Sequence, residues 1–345
     1  MTNPLVSVIL VSYNSNEFII ECLSSLTKQS YQNFNIIFVD NNSSDNSLEI
    51  VEEEYPEIIA IRNDINFGFA KACNIGIQKA FEEEKTKYVV CLNIDTVVDE
   101  NWLKELILAA ENNFNAGSVQ SKILLYDDPD KINTAVNNLT FLGFGYCGDY
   151  LQPSSNKTEI EEIPYSSGSS ILFSRKALER TGLFDEDYFL YHEDVDLGLR
   201  IRLLGYKNLL APRSICFHKY SFPKNNMVYF LERNRLITLY KNFSDRTLWL
   251  ISFAFMIKEI GLLFFLLFTG NFTRKLKSYS YIIKNFQKIH HKRKSIQEKR
   301  TISDKQIAGL LVGKIEFKEL NIYLLRKLAN PFFNAYWKIV KKLIK

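Results

Sequence analysis

Glycine is scarce in this chain, 14 among 345 residues, and none is set in a phosphate-cradling loop. Where the first apolar run gives way to a helix-like stretch, the sequence reads Ser12-Tyr13-Asn14-Ser15-Asn16. That lacks the G-x-G-x-x-G turn of a dinucleotide-binding dehydrogenase, and no Walker A loop occurs elsewhere. Cysteine is also sparse: Cys22, Cys73, Cys91, Cys147 and Cys216 are odd in number, scattered and without a CxxC pair. This excludes a disulfide framework and a zinc cluster, leaving small buried hydrophobes of a reducing compartment. With 46% hydrophobic and 24% charged residues, a disordered tail protein and a fibrous repeat are excluded as well, and the length fits one large or two modest domains. No basic region precedes the short apolar run Leu5 to Val11, so no signal peptide is expected and the body belongs in the cytosol.

What is present is unevenly distributed. Residues 1–270 hold 24 Lys+Arg against 35 Asp+Glu, while residues 271–345 hold 19 against 4, an acidic body of −11 with a basic tail of +15. Such a tail suits nucleic acid or an anionic membrane surface. The apolar run from Trp249 to Phe268 beside it favours the membrane, and the tail carries no nucleic-acid reader motif, so no nucleic-acid partner is expected. About 20 residues suffice to span a bilayer. Lys258 and Glu259 interrupt this run at its centre, where a charge costs about 2.5–3.5 kcal/mol on insertion scales. The expectation is therefore a peripheral or re-entrant helix at the cytoplasmic face, with a single transmembrane segment over 249–268 as the alternative. The aromatic-rich helices beyond residue 228 also offer a surface for a homodimer.

Along the body, apolar β-branched runs alternate with helical spacing. Leu5–Val11, Ile36–Val39, Ile58–Ile61 and Tyr88–Leu92 read as strands; Phe18–Leu26, Ser44–Tyr55, Ala70–Phe81 and Trp102–Phe114 read as helices. Ser118–Gln120 is a further short strand. This alternation predicts an α/β fold with a mostly parallel sheet and helices on both faces. Ligands of such sheets bind beyond the carboxyl ends of the strands, where Asn14, Asp40, Asn63 and Asp95 fall. From about 121 to 165 the pattern dissolves into Asp, Asn, Gly and Pro, either a substrate-facing excursion or an irregular sheet edge. Order returns with a strand after Ser167-Gly168-Ser169, a helix stopped by Gly182, an amphipathic helix after His192-Glu193-Asp194-Val195-Asp196, and a short strand ending at His218.

Asp95 lies just past a buried strand, suited to a hard divalent cation that also meets phosphate oxygens, or equally to a turn. His218 reads as a ligand or as a satisfied structural histidine. Asp194 stands among Glu193 and Asp196 at a helix start; crowded carboxylates raise one another's pKa, as a general base requires, while the plainer reading is a helix cap.

Taken in order, these segments resemble the GT-A fold family 2 glycosyltransferases, more narrowly their rhamnosyltransferase-like bacterial members. The resemblance rests on Val6 to Asn14, Asp40-Asn41-Asn42-Ser43-Ser44-Asp45, Asn66-Phe67-Gly68-Phe69-Ala70 with Asn74 and Gly76, and Leu92-Asn93-Ile94-Asp95-Thr96 as a modified DxD. Ser167-Gly168-Ser169 and the stretch from Phe184 through Glu193-Asp194 to Gly205 complete it. It covers about residues 5–240 and implies a single GT-A, Rossmann-like domain over 1–240. Within that domain, a nucleotide-sugar-binding half spans about 1–120 and an acceptor half about 121–240, and a helical, basic, membrane-associating region follows over 241–345.

What the resemblance implies is an inverting, metal-dependent hexosyltransferase of cell-surface polysaccharide biosynthesis. Its donor would be dTDP-rhamnose or a UDP-hexose, with galactosyl, glucosyl and N-acetylhexosaminyl transfer as alternatives. Its acceptor would be a saccharide or polyprenyl-diphosphate-linked glycan. Ser12, Tyr13, Asn14, Asp40, Asn66, Gly68, Asn93 and Asp95 would bind the donor, with Asp40 on the base. Asp95 and His218 would hold Mg²⁺ or Mn²⁺, and Asp194 would be the base. Gly168, Ser169, Glu193, Asp196, Arg233 and Arg235 would bind the acceptor or support the site, the two arginines either facing the diphosphate or covering an acidic patch. Glu232-Arg233-Asn234-Arg235-Leu236 stands where processive relatives carry QxxRW, which points to transfer of one or a few sugars. A catalytically silent glycan-binding or scaffold protein of the same fold is the rival reading.

Overall fold

A computed structural model describes residues 3–155, 158–220, 227–317 and 323–345. The first half runs Leu5–Ser12 (β1), Asn16–Thr27 (α1), Phe34–Asp40 (β2), Ser47–Glu54 (α2), Ile59–Arg62 (β3), Gly68–Phe81 (α3), Thr86–Asn93 (β4), Thr96–Val98 (β5), Trp102–Glu111 (α4) and Ala116–Leu125 (β6). Four short strands follow, Ile132–Thr134 (β7), Asn137–Thr140 (β8), Gly145–Cys147 (β9) and Glu161–Ile163 (β10). After them come Ser170–Ser174 (β11), Arg175–Thr181 (α5), Glu193–Leu203 (α6) and Lys207–His218 (β12).

The large sheet has the order β10-β12-β6-β11-β4-β1-β2-β3. Strands β3, β2, β1 and β4 are parallel, as the alternation predicts. Residues of β1 are buried on both sides: Val6, Val8 and Leu10 pack with α1 and α4, and Ile9 packs with α3. That explains its continuous apolar run. Helix α3 lies so close that a Cβ on Gly76 would stand 2.5 Å from Ile9. Strand β11 departs from the pattern by running antiparallel to both β4 and β6. Its register pairs Ser170 with Leu92, so its beginning, with the preceding Gly168-Ser169 turn, stands at the carboxyl end of β4.

Two strands exceed their sequence reading. The three residues expected at 118–120 are part of the ten-residue β6, whose polar Ser118, Gln120 and Ser121 are fully buried. They are satisfied internally: Ser121 Oγ lies 2.8 Å from Ser170 Oγ, the Trp102 indole N–H donates to both, and Gln120 Nε2 donates to Ala135 O at 3.0 Å. The short strand at His218 is the end of β12, twelve residues long, whose register with β6 shifts between Ala211 and Ile215. Pro212, which has no N–H to give a ladder, sits in that irregularity.

The tail is built from Val228–Asn242 (α7), Asp245–Phe268 (α8), Phe272–Lys284 (α9), Phe286–Lys299 (α10), Asp304–Ala308 (α11), Leu311–Val312 (β13) and Asn330–Leu343 (α12). It does not hang free. Strand β13 pairs with β8, and Trp337 stacks on Phe141 with ring centroids 4.9 Å apart. One apolar core joins Leu139, Phe141 and Leu142 to Val195 and Leu199 of α6, Leu239 of α7, Ile251 of α8 and Phe333 of α12. The stretch that reads as an irregular edge thus carries the tail's attachment, and this core crosses residue 240. Helix α8 is long and apolar enough to cross a membrane, by length and composition, with a mean hydropathy of 2.2 over its most apolar stretch.

Candidate active site

Asp40 closes β2, its Cα in register with Ser12 on one side and Arg62 on the other. Its carboxylate is buried; Oδ2 accepts the Ser43 N–H at 3.1 Å, and Oδ1 has no hydrogen-bond partner. Ser12 Oγ is likewise buried and unpartnered. The loop after β1 folds back on the loop after β2. Asn14, left-handed at φ +52°, gives its N–H to Ser43 Oγ and accepts from the Ser44 N–H. Tyr13 is half exposed at the rim.

Asn41, not singled out in the sequence, organises this end. Its Nδ2 donates to Asn66 Oδ1 at 2.9 Å and to Gly68 O at 3.3 Å, while its Oδ1 accepts from Asn63 Nδ2 and the Phe67 N–H, both at 3.1 Å. Asn66 Oδ1 in turn accepts the Gly68 N–H. Gly68 takes φ +77°, and a Cβ there would stand 2.4 Å from Phe189 O, so the position excludes any side chain on both counts. A buried amide inside an Asn-rich motif was the available signal for Asn41.

At the end of β4, the Asn93 N–H donates to Ser169 O at 3.0 Å. Two residues on, Asp95 Oδ1 is buried without a hydrogen bond and lies 3.3 Å from His218 Nε2. His218 arrives there because β12 pairs with β5 and sets it opposite Thr96. Its Nδ1 is 3.1 Å from Asn133 Oδ1. An amide oxygen accepts only, so Nδ1 carries a proton and Nε2 is the ring atom turned toward the carboxylate. A nitrogen and a carboxylate oxygen facing each other in this way can share a proton or a cation. Asn133, from β7, is a second residue that sequence reading missed.

Asp194, at the start of α6, closes the third side. Its Oδ2 accepts the Gly168 N–H at 3.2 Å, and its Oδ1 the Val195 N–H at 2.7 Å. Through Gly168-Ser169 and Asn93 it is tied to the Asp95 turn. Burial raises the Asp194 pKa, with the two backbone N–H groups opposing part of that effect. Glu193, whose Oε2 is buried without a partner, is raised by burial and then by the neighbouring Asp194 charge. His192 is buried and neutral, its pKa pushed down to about 4, chiefly by burial.

The remaining expected residues turn inward. Asp196 is fully buried and pairs with Arg200 Nε at 2.9 Å and Lys241 Nζ at 3.0 Å. Arg235 is 1% exposed and bonds Glu232 at 2.6 Å and Glu259 at 2.7 Å, so of its two readings it covers acidic groups. Arg233 gives its guanidinium to backbone carbonyls, as described below. A surface depression of about 460 Å³, lined by Thr86, Tyr88, Ser174 and Arg175 among others, lies at the opposite ends of these strands and includes none of the residues above.

Comparison with known proteins agrees with the fold. Residues 7–182 match the pattern of glycosyl transferase family 2. The chain is 28% identical over 214 residues to a poly-beta-1,6-N-acetyl-D-glucosamine synthase of Staphylococcus epidermidis, a match covering 61% of this chain and 49% of that protein. It is 27% identical over 239 residues to an N-acetylglucosaminyl-diphospho-decaprenol L-rhamnosyltransferase of Mycobacterium tuberculosis, covering 63% and 76%. The matched region thus spans about half the length of the staphylococcal synthases. Among solved structures, GalNAc-T7 with UDP, GalNAc and Mn²⁺ superposes with a TM-score of 0.59 at 18% identity, covering 71% of this chain and 49% of that one. Staphylococcus aureus TarS 1–349 with UDP gives 0.51 at 16%, covering 98% and 90%. The fold is shared with these structures, and the family pattern extends over half the sequence: the chain belongs to glycosyl transferase family 2.

Proposed function

We propose that the chain is an inverting glycosyltransferase that moves a sugar from a nucleoside diphosphate to a hydroxyl of a saccharide acceptor. One observation carries this reading. Three carboxylates, the buried Asp40 and the part-buried Asp95 and Asp194, stand at one end of the sheet, two of them presenting a buried oxygen with no hydrogen bond and the third with its pKa raised by desolvation. Asp40 Oδ1, with Ser12 to Asn14 around it, suits a donor N–H of a nucleobase. Asn66 and Gly68 form a close wall beside it.

Asp95 and His218 fit a divalent cation, because Asp95 Oδ1 has no hydrogen bond and His218 Nε2 faces it at 3.3 Å, an oxygen and an imidazole nitrogen of the kind such ions take as ligands. Mg²⁺ or Mn²⁺ there would draw its other ligands from the donor diphosphate and stabilise that leaving group's charge. Asp194 takes the proton of the acceptor hydroxyl. The acceptor oxygen forms its bond to the anomeric carbon as the bond from that carbon to the diphosphate oxygen breaks, with inversion. No nucleophile of the protein takes part, in contrast to a retaining glycosidase.

The acceptor side of the proposal is a lipid-linked glycan at a membrane surface, with rhamnose as the first donor sugar to test. The mycobacterial relative supports both, since its name combines a diphospho-decaprenol acceptor with L-rhamnosyl transfer. Peripheral docking is supported by α8. It exposes Trp249, Phe253, Met256, Ile260 and Phe264, while its buried Glu259 pairs with Arg235, with Lys275 and with the adjacent buried Lys258. Threading α8 through a bilayer away from α7 and α9 would strip Glu259 of Arg235 and Lys275. An apolar outer face with basic α9 and α10 beside it suits anionic headgroups.

The test is nucleoside diphosphate release by the full chain, with dTDP-rhamnose, UDP-hexoses and UDP-N-acetylhexosamines, Mg²⁺ or Mn²⁺, and lipid-linked acceptors. Asp194→Asn is expected to slow transfer about 10²–10⁴-fold, the usual worth of a general base, with donor affinity kept. Equal rates would refute the base. Glycan binding without release from any donor would favour the silent scaffold.

A further inference from the structure

The segment that delivers Asp194 is strained. Phe189, Tyr191 and His192 all have positive φ, at +61°, +68° and +66°, within four residues of a chain that contains no glycine there. Side-chain-bearing residues hold such conformations only where the surroundings impose them. Here every carbonyl from 187 to 191 is held from outside the segment. Arg233 Nη2 donates to Asp187 O and Tyr188 O, both at 2.7 Å. Asn234 Nδ2 donates to Tyr188 O at 3.0 Å, Leu190 O at 2.9 Å and Tyr191 O at 2.7 Å. The Phe189 carbonyl is left to the other side, accepting the Phe69 N–H of the donor loop at 2.7 Å. Asn234 is fully buried, and its Oδ1 accepts Arg233 Nε at 2.8 Å, which fixes the amide with its N–H groups toward the loop. The Phe189 ring stacks on Phe230 of the same helix, centroids 5.3 Å apart.

From this we infer that Asn234, with Arg233, is a positioning residue for the base. The pair holds the left-handed run that turns the chain into α6 and thereby seats the Asp194 carboxylate on the Gly168 N–H. Asn234 touches no reacting atom; with Arg233 it acts through four backbone carbonyls, those of Asp187, Tyr188, Leu190 and Tyr191. The Glu232 to Arg235 run thus faces two ways, Arg233 and Asn234 toward the base loop, Glu232 and Arg235 toward α8 and α9. Only the kinetic part of this inference rests on the glycosyl-transfer reading.

The experiment compares the full chain with Asn234→Asp, which keeps size but replaces the donating amide by an acceptor, and with Arg233→Lys, which removes the planar fork. Amide hydrogen exchange over 187–194 is expected to rise in Asn234→Asp while residues 5–40 keep their protection; unchanged exchange over 187–194 overturns the inference whatever the activity. In steady-state assays kcat is expected to fall tenfold or more with donor KM within twofold, and the acid limb of the kcat profile to move to lower pH as Asp194 gains solvent. An unchanged kcat and pH profile in a folded variant overturns it too. Should Asn234→Asp fail to fold, Arg233→Lys decides, with smaller changes in the same direction expected and parental exchange and kinetics refuting. A parent that releases no nucleoside diphosphate would refute the transfer reading and leave the exchange result to judge the clamp.

Discussion

The two sides of the site are built differently. On the donor side, Asp40 closes β2 and Asp95 sits just past the end of β4; neither has a positive φ, although Asn14 and Asn42 in the adjoining loops do, and neighbours such as Ser43 and the amides of one Asn-rich loop system hold that end. On the base side, Asp194 follows a left-handed run whose carbonyls are held from α7, some 45 residues later in the chain. That helix is in turn tied to α8 and α9 by a buried cluster of Arg235, Lys258 and Lys275 with Glu232 and Glu259. A parallel strand delivers a residue to its carboxyl end with no help beyond the sheet. A helix entered through unfavourable dihedrals needs a distant element to hold it, which makes the base the side that depends on the tail.

The contrast can be broken first at the cluster. Glu259 lies against all three cations, so Glu259→Ala leaves buried positive charge uncompensated, and a loss of about 3–5 kcal/mol in denaturant unfolding is expected, the range found when one partner of a buried pair is removed. Burial and then Arg235 already push the Lys258 pKa down to about 7, the sign of a cluster rich in cations. A variant as stable as the parent would detach the tail from the base side. Next, on the donor side, Asp95→Ala is expected to lower kcat about 10²–10³-fold, the usual effect of losing one group that stabilises developing charge. It should also remove the dependence on added Mg²⁺ or Mn²⁺ in a metal titration, while the unfolding midpoint stays near the parent's.

The smallest effect sharpens the comparison through pH. Asp194 must be ionised to accept a proton, and its pKa is raised, so kcat is expected to climb through an acid limb above the ordinary carboxylate range. Stability runs the other way. The contribution of Glu193, whose folded pKa is also raised, is fully present below the ordinary carboxylate pKa and is lost as pH rises through the raised value. Glu193→Gln should therefore melt higher than the parent at pH 9 and level with it at pH 4. Equal melting at both would show that the carboxyl is solvated.

Much of this was legible beforehand, and for identifiable reasons. Apolar runs ending in a single polar residue mark parallel strands and their ligand ends, so β1, β2 and β4 and the positions of Asp40 and Asp95 could be read directly. Gly182, left-handed at φ +79°, ends α5 where the sequence placed a stop. Strand β6 extends beyond the expected 118–120, with Ser118, Gln120 and Ser121 all buried. The partners that satisfy them, Ser166 and Asn208 for Ser118, Ala135 for Gln120, and Ser170 with Trp102 for Ser121, are a property of the packed structure.

Composition and periodicity alone determined the acidic body, the basic tail, the α/β layering and the carboxylates at strand ends, because these follow from local burial and from the two- and 3.6-residue repeats. Only tertiary structure decided the antiparallel direction of β11, the pairing of β13 with β8 that anchors the tail, the Asn133 contact to His218 and the hold of Asn234 on the base loop. Each joins residues far apart in the chain, and an amide's partners are chosen by the packing that brings carbonyls within reach of it.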